Sequence, residues 1–437
     1  MARPVVAIVG RPNVGKSTLF NRLVGERIAI VEDIPGTTRD RIYATAEWRG
    51  REFSLIDTGG LQDPGAGQME AAVRRQAEVA IAEADVVLFV VDAQTGILPV
   101  EHDVTDMLRR SGKSVLLVAN KADSWRGEAQ SAEFYELGLG DLLTVSAIQG
   151  IGTGDLLDVV LERLPATEPE DESTDPRIAI VGRPNVGKSS FLNALVGSER
   201  AVVSEIPGTT RDSIDTVMDF KGRRVVLVDT AGIRRRGRIE EGIEKYALLR
   251  TAHALERADV AILMTDATEG VTAQDVHIAG YAIEARVGLV LAVNKWDVVD
   301  RGPDMTASVE AEVAREFHFL PWMGHRFVSA KTGRNVQATV ADALAIVDER
   351  SRKVPTGELH GLLMEAVAAH PPSPHRGKEV RFTHLTQARG KAPTFVFFVD
   401  PPEGVHFTYQ RYLENKLRER FGFPGTPIKL EFKGGRD

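Results

Sequence analysis

The chain has 437 residues, which is too long for a single ordinary core, so we expect several domains. It contains no cysteine, and this excludes disulfides, thiolate nucleophiles and cysteine-ligated metals. The formal net charge of −8 argues against uniform nucleic-acid binding, although residues 354–437 carry 12 Lys and Arg against 9 Asp and Glu. The first apolar run is too short to span a membrane and no cleavage site follows it, so we expect a cytoplasmic protein without a membrane partner.

The first predicted elements are a buried β-strand at 5–10 (VVAIVG) and a helix whose apolar residues recur at helical spacing in STLFNRLVG. Between them lies GRPNVGKST at 10–18, which satisfies the phosphate-loop pattern GxxxxGK[ST] in its required strand–helix context. Backbone N–H groups of such a loop point at a β-phosphate, and the helix adds the positive end of its dipole. We expect Lys16 to neutralise β- and γ-phosphate oxygens and Ser17 to ligate magnesium.

Two further motifs on the phosphate side follow in the chain. PGTTRD at 35–40 supplies a threonine as a second magnesium ligand in a mobile loop, and we expect Thr38, although spacing alone does not choose between the two threonines. The predicted strand EFSLIDT leads into DTGG at 57–60. There we expect Asp57 to hold magnesium through water and the backbone N–H of Gly60 to reach the γ-phosphate.

The next two predicted strands are ADVVLFVVDA and KSVLLVANK, and the second runs into NKAD at 120–123. The carboxylate of Asp123 accepts two hydrogen bonds, which suits N1–H and the 2-amino group of guanine, whereas adenine would leave it unpaired. We expect Asn120 to brace the loop and contact the base, and Lys121 to cover the face of the base. The backbone N–H of Ala147, in the SA motif at 146–147, would reach guanine O6. The motifs therefore predict GTP over ATP.

The position after DTGG is Leu61, where many GTPases place a glutamine that orients the attacking water. An apolar side chain cannot polarise water, so either hydrolysis is slow or another group stabilises the transition state. An amide oxygen of Asn13 could help to hold a monovalent cation beside the β- and γ-phosphates. The alternative is a hydrogen bond of Asn13 within the loop.

The whole set of motifs recurs once. GRPNVGKSS at 182–190, PGTTRD at 207–212 and DTAG at 229–232 lie 172 residues after their first copies, and NKWD and SA follow at 294–297 and 329–330. We therefore predict two copies of one three-layered α/β domain with a mostly parallel sheet. The predicted bounds are 1–165 for the first domain, 166–176 for an acidic flexible linker, 177–350 for the second domain and 351–437 for a third module.

The second copy alone follows its DTAG motif with a basic stretch, GIRRRGRIEEGIEKY at 232–246, where the first copy has LQDPGAGQ. Its arginines could meet RNA phosphates or the adjacent domain in one nucleotide state, or form a solvated run of charge. They are Arg234, Arg235, Arg236 and Arg238. The two copies are therefore not expected to be equivalent.

The tail predicts a small α+β domain with a strand at TFVFFVD, an amphipathic helix at YQRYLENKLRERF and a strand at TPIKLEFK. GFPG at 422–425 is not assigned as the backbone-clamping loop of an RNA-binding KH domain, because it lies between a helix and the last strand and lacks Lys or Arg. The alternative to RNA binding is a domain that mainly docks on the two repeats. The candidate RNA contacts are Arg411, Lys416, Arg418, Arg420, Lys429 and Lys433.

Duplicated in one chain, GRPNVGKS, PGTTRD, DTxG, NKxD and SA resemble the Der (EngA) double-GTPase family, and the segment from residue 392 resembles its C-terminal KH-like domain. The resemblance covers nearly the whole chain. It implies two tandem P-loop GTPase domains followed by a KH-like domain, in a bacterial cytoplasmic GTPase needed for maturation of the large ribosomal subunit. It also implies potassium-stimulated hydrolysis, with Asn13 and Asn185 in the cation-binding positions.

From the motifs and the resemblance we predict a monomeric GTPase with two guanine-nucleotide sites, which bind GTP or GDP, Mg²⁺ and K⁺ and control assembly of the large ribosomal subunit. The RNA contacts would come from the C-terminal domain and the Arg234–Arg238 loop. The alternative is a nucleotide-dependent RNA- or ribosome-binding scaffold in which one copy is nearly inactive, because Leu61 and Ile233 are apolar.

Three sets of residues carry these predictions. The predicted catalytic residues are Lys16, Lys188, Thr38, Thr210, Asn13, Asn185, Gly60 and Gly232. The predicted magnesium ligands are Ser17, Thr38, Asp57, Ser189, Thr210 and Asp229. The predicted nucleotide-binding residues are Gly10, Arg11, Pro12, Asn13, Val14, Gly15, Lys16, Ser17, Asp57, Thr58, Gly59, Gly60, Leu61, Asn120, Lys121, Asp123, Ser146 and Ala147 in the first copy, and Gly182, Arg183, Pro184, Asn185, Val186, Gly187, Lys188, Ser189, Asp229, Thr230, Ala231, Gly232, Ile233, Asn294, Lys295, Asp297, Ser329 and Ala330 in the second.

Overall fold

The computed structural model describes residues 4–25, 43–57, 78, 80–82, 84–123, 131–165, 175–197, 203–207, 214–230, 244–299, 303–388 and 390–434. These residues form two compact units, one up to residue 165 and one from residue 175 onwards. The domain bounds given above remain a prediction.

The first unit is an α/β domain. Its sheet runs in the order 2-3-1-4-5-6 of the strands given below, and the second and third strands pair antiparallel while the other neighbours pair parallel. Leu19, Phe20 and Leu23 pack against Leu156 beneath the sheet, as the helical spacing predicts. The described elements are β1 (Val5–Val9), α1 (Lys16–Val24), β2 (Tyr43–Trp48), β3 (Arg51–Asp57), β4 (Val86–Asp92), α2 (Pro99–Ser111), β5 (Ser114–Asn120), a 3₁₀ helix (Ala132–Leu137), β6 (Leu142–Thr144) and α3 (Thr153–Arg163).

The second unit begins with the same α/β arrangement. The described elements are β7 (Arg177–Val181), α4 (Lys188–Val196), β8 (Val203–Pro207), β9 (Ile214–Phe220), β10 (Arg223–Val228), α5 (Glu244–Arg257), β11 (Val260–Asp266), α6 (Ala273–Glu284), β12 (Gly288–Asn294), α7 (Pro303–Glu316), β13 (Gly324–Phe327) and α8 (Val336–Ser351). The sheet order is β13-β12-β11-β7-β10-β9-β8, with β8, β9 and β10 paired antiparallel and the rest parallel. In both repeats the parallel strands end at one edge of the sheet, where ligands bind in such folds.

The last part of the second unit is a small α+β domain. Its described elements are α9 (Thr356–Ala369), β14 (Arg381–Ala388), β15 (Thr394–Asp400), α10 (Phe407–Phe421) and β16 (Lys429–Lys433). The sheet order is β14-β15-β16, the first pair antiparallel and the second parallel. Phe395, Phe397 and Phe423 are fully buried in its core. The predicted fold class, two mostly parallel α/β domains followed by a small α+β domain, is confirmed.

The GFPG segment at 422–425 is a docking loop between this small domain and the second repeat. The backbone N–H of Gly425 donates to Trp322 O at 2.8 Å, and Gly425 O accepts from Leu289 N at 2.6 Å. Gly425 has a φ of +68°, and a Cβ atom there would overlap the side chain of Ile346. Glycine is therefore required for this close approach, and the small domain does dock on the second repeat.

Arg350, at the end of α8, makes hydrogen bonds at the same interface. Its guanidinium donates to Thr426 Oγ1 at 3.1 Å, to Arg286 O at 3.0 Å and to Lys391 O at 2.5 Å. Burial lowers the pKa of Arg350 to about 10, with Asp259 acting in the opposite direction. The charge is thus taken out of water, and its cost is offset by two hydrogen bonds across the interface, to Thr426 and Lys391, and by one within the second repeat, to Arg286.

We predict that Arg350→Ala lowers the free energy of unfolding of the second unit by about 1–3 kcal/mol, because the buried Thr426 hydroxyl and two partly buried backbone carbonyls lose their donor. The matched control is Arg420→Ala, which removes an exposed ion pair with Glu365 (2.6 Å) and should cost about 1 kcal/mol or less. Urea denaturation of both variants measures the difference. Equal losses in the two variants would contradict the role given to Arg350.

Candidate nucleotide sites

The loop between β1 and α1 has the backbone shape that a phosphate loop requires. Asn13 and Gly15 have φ angles of 67° and 90°, and a Cβ atom at Gly15 would overlap the side-chain amide of Asn120. A Cβ atom at Gly10 would likewise overlap Val90 O. Gly15 is the N-cap of α1, whose first turn contains no acidic residue, so the positive end of the helix dipole is available to an anion.

Lys16 is buried and its amine reaches back over the loop. Its Nζ donates to Arg11 O at 2.7 Å. Burial lowers the pKa of Lys16 to about 8, while Asp57 raises it and Arg11 lowers it by smaller amounts. Asp57 ends β3 and pairs with Ile8 of β1, the strand that leads into the phosphate loop, so it lies near the start of α1, which carries Ser17. A carboxylate and a hydroxyl are hard oxygen donors, which fits Mg²⁺.

The amide of Asn120, at the end of β5, joins the phosphate loop to the loop of the SA motif. Its Nδ2 donates to Val14 O at 2.9 Å, and its Oδ1 accepts from Ala147 N at 3.0 Å. The side chain is 2% exposed, so both hydrogen bonds are shielded from water. The N–H that the sequence analysis assigns to guanine O6 therefore has a partner within the chain.

Asp92, at the end of β4, contacts both Arg11 of the phosphate loop and Lys121 of the NKAD motif. Its Oδ2 accepts from Lys121 Nζ at 2.7 Å and lies 3.8 Å from the guanidinium of Arg11, whose Nε also donates to Glu101 at 3.0 Å. Burial works to raise the pKa of Asp92, but hydrogen bonds from Lys121 and from the backbone of Gln94 outweigh it and hold the pKa below its usual value. Asp92 thus stays ionised and fixes Lys121 at the base side of the site.

The carboxylate of Asp123, which the sequence predicts to bind guanine, is held by the SA motif. Asp123 Oδ1 accepts a hydrogen bond from Ser146 Oγ, and Ser146 Oγ in turn accepts from Gln149 N at 3.2 Å. Lys121, two residues before Asp123, has a φ of +65°, which turns the chain sharply after β5. The arrangement can present the carboxylate of Asp123 to a base and keeps the SA loop next to that carboxylate.

The second repeat has the same hydrogen bonds between its loops. Asn294 Nδ2 donates to Val186 O at 2.7 Å, and its Oδ1 accepts from Ala330 N at 2.9 Å. Ser329 Oγ donates to Asp297 Oδ1 at 2.7 Å. The phosphate loop also repeats its strained positions, Asn185 at a φ of 65° and Gly187 at 100°, and Lys295 pairs with Asp266 as Lys121 does with Asp92.

Some contacts of the second repeat extend the pattern. Lys188 Nζ donates to the carbonyls of Gly182 and Arg183, the latter at 2.7 Å. Arg183 pairs with the fully buried Asp275 at 3.2 Å and also with Glu269. Burial raises the pKa of Asp275, and the contacts with Thr272 and Arg183 oppose the rise.

The strand end that carries Asp229 is anchored from β9. Asp229 N donates to Asp215 Oδ1 at 3.0 Å, and Asp215 is paired through its other oxygen with Arg257. Thr230 Oγ1 lies 2.7 Å from Thr216 Oγ1 in a buried contact. These contacts fix the start of the DTAG motif.

Several predicted site residues lie outside the described residues. They are Thr38, Thr58, Gly59, Gly60 and Leu61 in the first copy, and Thr210, Ala231, Gly232, Ile233, Arg234, Arg235, Arg236 and Arg238 in the second. The described predicted residues of each copy lie on the phosphate loop, at the end of β3 or β10, at the end of β5 or β12, and on the SA loop. Motif reasoning missed Asp92, Asp266, Asp215 and Arg257. A signal existed for the first two, because each ends an apolar strand in the same dipeptide, DA.

The basic side chains of the tail that were candidate RNA contacts are mostly engaged within the domain. Arg418 donates to Phe423 O and Thr426 O at 3.2 and 3.1 Å and pairs with Glu414, so it stabilises the docking loop. Arg411 lies over the ring of Phe407 at 4.4 Å. The others form ion pairs, which are Lys416–Glu419, Arg420–Glu365, Lys429–Glu431 and Lys433–Glu431.

No described helix combines the length and the apolar character that a membrane crossing needs.

A family model described as a 50S ribosome-binding GTPase matches residues 5–121 and again residues 177–295. A second model, described as the KH-domain-like C-terminal domain of EngA bacterial GTPase enzymes, matches residues 353–433. Together they bear out the predicted tandem GTPase domains and KH-like domain.

Curated relatives named GTPase Der match the chain over its whole length. The relative from Thermomicrobium roseum is 54% identical over 99% of this chain and 96% of its own. Those from Herpetosiphon aurantiacus and Moorella thermoacetica are 51% and 50% identical, covering 99% and 100% of this chain and 97% and 100% of theirs. Among solved structures, an Era variant from Aquifex aeolicus bound to GDP.AlF4⁻ is 24% identical with a TM-score of 0.33, and covers 64% of this chain and 100% of its own.

We predict that the affinity of the first site for GDP falls as the pH rises through about 8. Phosphate binding favours the ammonium form of Lys16, whose pKa in the free protein is about 8, so binding above that pH takes up a proton. The fall should approach about tenfold for each pH unit. Calorimetric titration of an Asp297→Asn variant, in which the second guanine-reading carboxylate is removed, measures the affinity at about pH 7 and about pH 9. A flat profile, with no proton taken up in buffers of different ionisation heat, would contradict it.

Proposed function

The chain belongs to the GTPase Der family, whose members hydrolyse GTP, and on that premise we propose that it controls assembly of the large ribosomal subunit through two guanine-nucleotide sites. The description of the matching family model as a 50S ribosome-binding GTPase supports this partner, and the model matches both repeats. The proposal places the protein in the cytoplasm as a monomer.

The observation that carries the two-site proposal is the buried asparagine joint, present in both repeats. Asn120 and Asn294 each bond a phosphate-loop carbonyl and an SA-loop N–H, at distances between 2.7 and 3.0 Å. Such a joint sets the separation between a loop that wraps phosphates and a loop that meets a base. A guanine nucleotide needs both loops at once, so a repeat with this joint is organised to bind one.

In the proposed sites, each chemical task falls to a matched pair of side chains. Lys16 and Lys188 neutralise phosphate oxygens, helped by the N-termini of α1 and α4. Asp123 and Asp297 accept the N1–H and 2-amino hydrogens of guanine, and the serine of each SA motif holds one oxygen of the carboxylate. Adenine offers neither hydrogen in the same place, so the sites favour GTP.

We place Mg²⁺ on the hydroxyl and carboxylate oxygens next to each phosphate loop. Bound there, the ion neutralises charge on β- and γ-phosphate oxygens. Asp57 ends β3 and Asp229 directly follows β10, and these strands are the neighbours of the strands that lead into the loops. The proposed ligands are Ser17, Asp57 and Thr38 in the first site and Ser189, Asp229 and Thr210 in the second.

We further propose that K⁺ stimulates hydrolysis through Asn13 and Asn185. Both asparagines adopt the left-handed conformation, which their residue type tolerates, and both lie one residue before the valine whose carbonyl the joint binds. A monovalent cation supplies positive charge that the apolar Leu61 and Ile233 cannot. The residues that meet RNA would lie on the C-terminal domain and in the Arg234–Arg238 loop.

We predict that turnover is faster in potassium than in sodium buffer, and that Asn13→Ala and Asn185→Ala each remove the stimulation from their own site, by about tenfold or more. Steady-state phosphate release in the two buffers measures this, with Asn21→Ala as the control because Asn21 is an exposed amide on α1. If one of these single variants abolished all turnover, the other copy would be nearly inactive. The alternative of a nucleotide-dependent scaffold with one inactive copy would then replace the proposal of two active GTPase sites. Equal rates in both buffers for the unaltered protein would refute the role of K⁺.

We predict that the protein co-sediments with the large ribosomal subunit when it holds a non-hydrolysable GTP analogue, and separates from it with GDP or without nucleotide. Sucrose gradients at low and moderate salt measure this. Binding that survives moderate salt would support the assembly role, and replacing the four loop arginines with glutamine should weaken it. Loose binding that ignores the nucleotide and vanishes with salt would leave phosphate attraction as its cause, and the ribosomal role would fall.

A further inference from the structure

The SA loop of the first site receives little support from burial. Ile148 is 71% exposed and Ile151 is 51% exposed, so neither side chain packs the loop onto the domain. Asn120 fixes the loop at its start, through Ala147 N. The residues that follow are bonded to one another, from Ser146 N to Ile151 O at 3.0 Å and from Gly150 N to Ser146 O at 2.7 Å, and they receive a further support from another element.

That support comes from Arg22, in the last turn of α1. Its Nε donates to Ala147 O at 3.0 Å and its NH2 group donates to Ile148 O at 2.5 Å. The guanidinium also covers the turn of the loop, because a Cβ atom at Gly150 would lie 3.6 Å from its central carbon. Helix α1 therefore carries the phosphate loop at its first turn and holds the base-side loop from its last.

The second site holds the same loop in another way. The residue that corresponds to Arg22 is Ala194, whose methyl group cannot donate a hydrogen bond. A Cβ atom at Gly333, the counterpart of Gly150, would meet nothing within 4 Å. The loop is braced instead by Asn335, whose Nδ2 donates to Phe327 O at 2.8 Å. A link from the phosphate-bearing helix is thus a feature of the first site.

We propose that Arg22 is a positioning residue that prolongs the stay of guanine nucleotide in the first site. Release of the base requires the SA loop to move away, and in this site the movement breaks two charge-assisted hydrogen bonds to α1. The inference rests on the proposed guanine sites. Arg22 itself touches the loop and not the phosphate-binding residues, so its effect falls on binding and release and spares the chemical step.

The test uses the full chain with Asp297→Asn, so that guanine nucleotide reports on the first site. Chasing ribose-labelled fluorescent GDP with unlabelled GDP gives the dissociation rate. In this background Arg22→Ala should release GDP about three- to thirtyfold faster, and Arg22→Lys, which can reach one carbonyl at a time, should lie between the two. KM for GTP should rise in the Arg22→Ala variant while kcat stays within about twofold.

The matched control is Arg109→Ala, because Arg109 also donates to a backbone carbonyl of the same domain, Leu137 O, at 2.5 Å. An unchanged release rate in Arg22→Ala, or an equal acceleration in both variants, would overturn the proposal. A fall of kcat together with KM would overturn it as well. If Asp297→Asn did not reduce GDP stoichiometry from two to one, the guanine-site assignment would fail instead, and the two failures are therefore distinguishable.

Discussion

The organisation of both repeats depends on one buried side-chain amide. An asparagine can donate from nitrogen and accept at oxygen, and in each repeat it does both across the gap between two loops. Aspartate could not donate, and a longer glutamine would not fit against the glycine that precedes the phosphate-loop lysine, since Gly15 and Gly187 already leave no room for a Cβ atom. In each repeat this amide therefore ties the phosphate loop, the NKxD motif and the SA loop to one another.

Buried carboxylates near this amide pair with the lysine of each NKxD motif and with the arginine of each phosphate loop. These pairs hold the cations beside the predicted nucleotide site. Asp92 and Asp266 are buried, yet lysine hydrogen bonds keep the pKa of each below its usual value, and both remain ionised. Arg11 and Arg183 continue the network to Glu101 and to Asp275. Ion pairs along this network offset the cost of burying its charges.

The fold could be predicted largely from the sequence because its signals are local. Continuous apolar strands and the glycine loops between strand and helix predict the two repeats. The hydrogen-bonding groups of NKxD and SA match those of guanine, so these motifs predict the base. Arg22 could not be predicted, since its role depends on a loop more than 120 positions further along the chain. Arg350 reads as an ordinary basic residue at a helix end, and its burial is created by contacts from the docking loop. The sequence did not favour GFPG as an RNA clamp, and its docking role depends on a carbonyl and an N–H that belong to another domain.

The docking loop has a mechanical consequence. Gly425 bonds Leu289 at the start of β12, and Asn294 stands at the end of the same strand, about 17 Å away. β12 is hydrogen-bonded on both sides, to β11 and to β13, so it resists stretching and bending. The contact with the C-terminal domain, at Leu289, and the asparagine that joins the phosphate and SA loops therefore lie on one continuous strand, with no flexible segment between them.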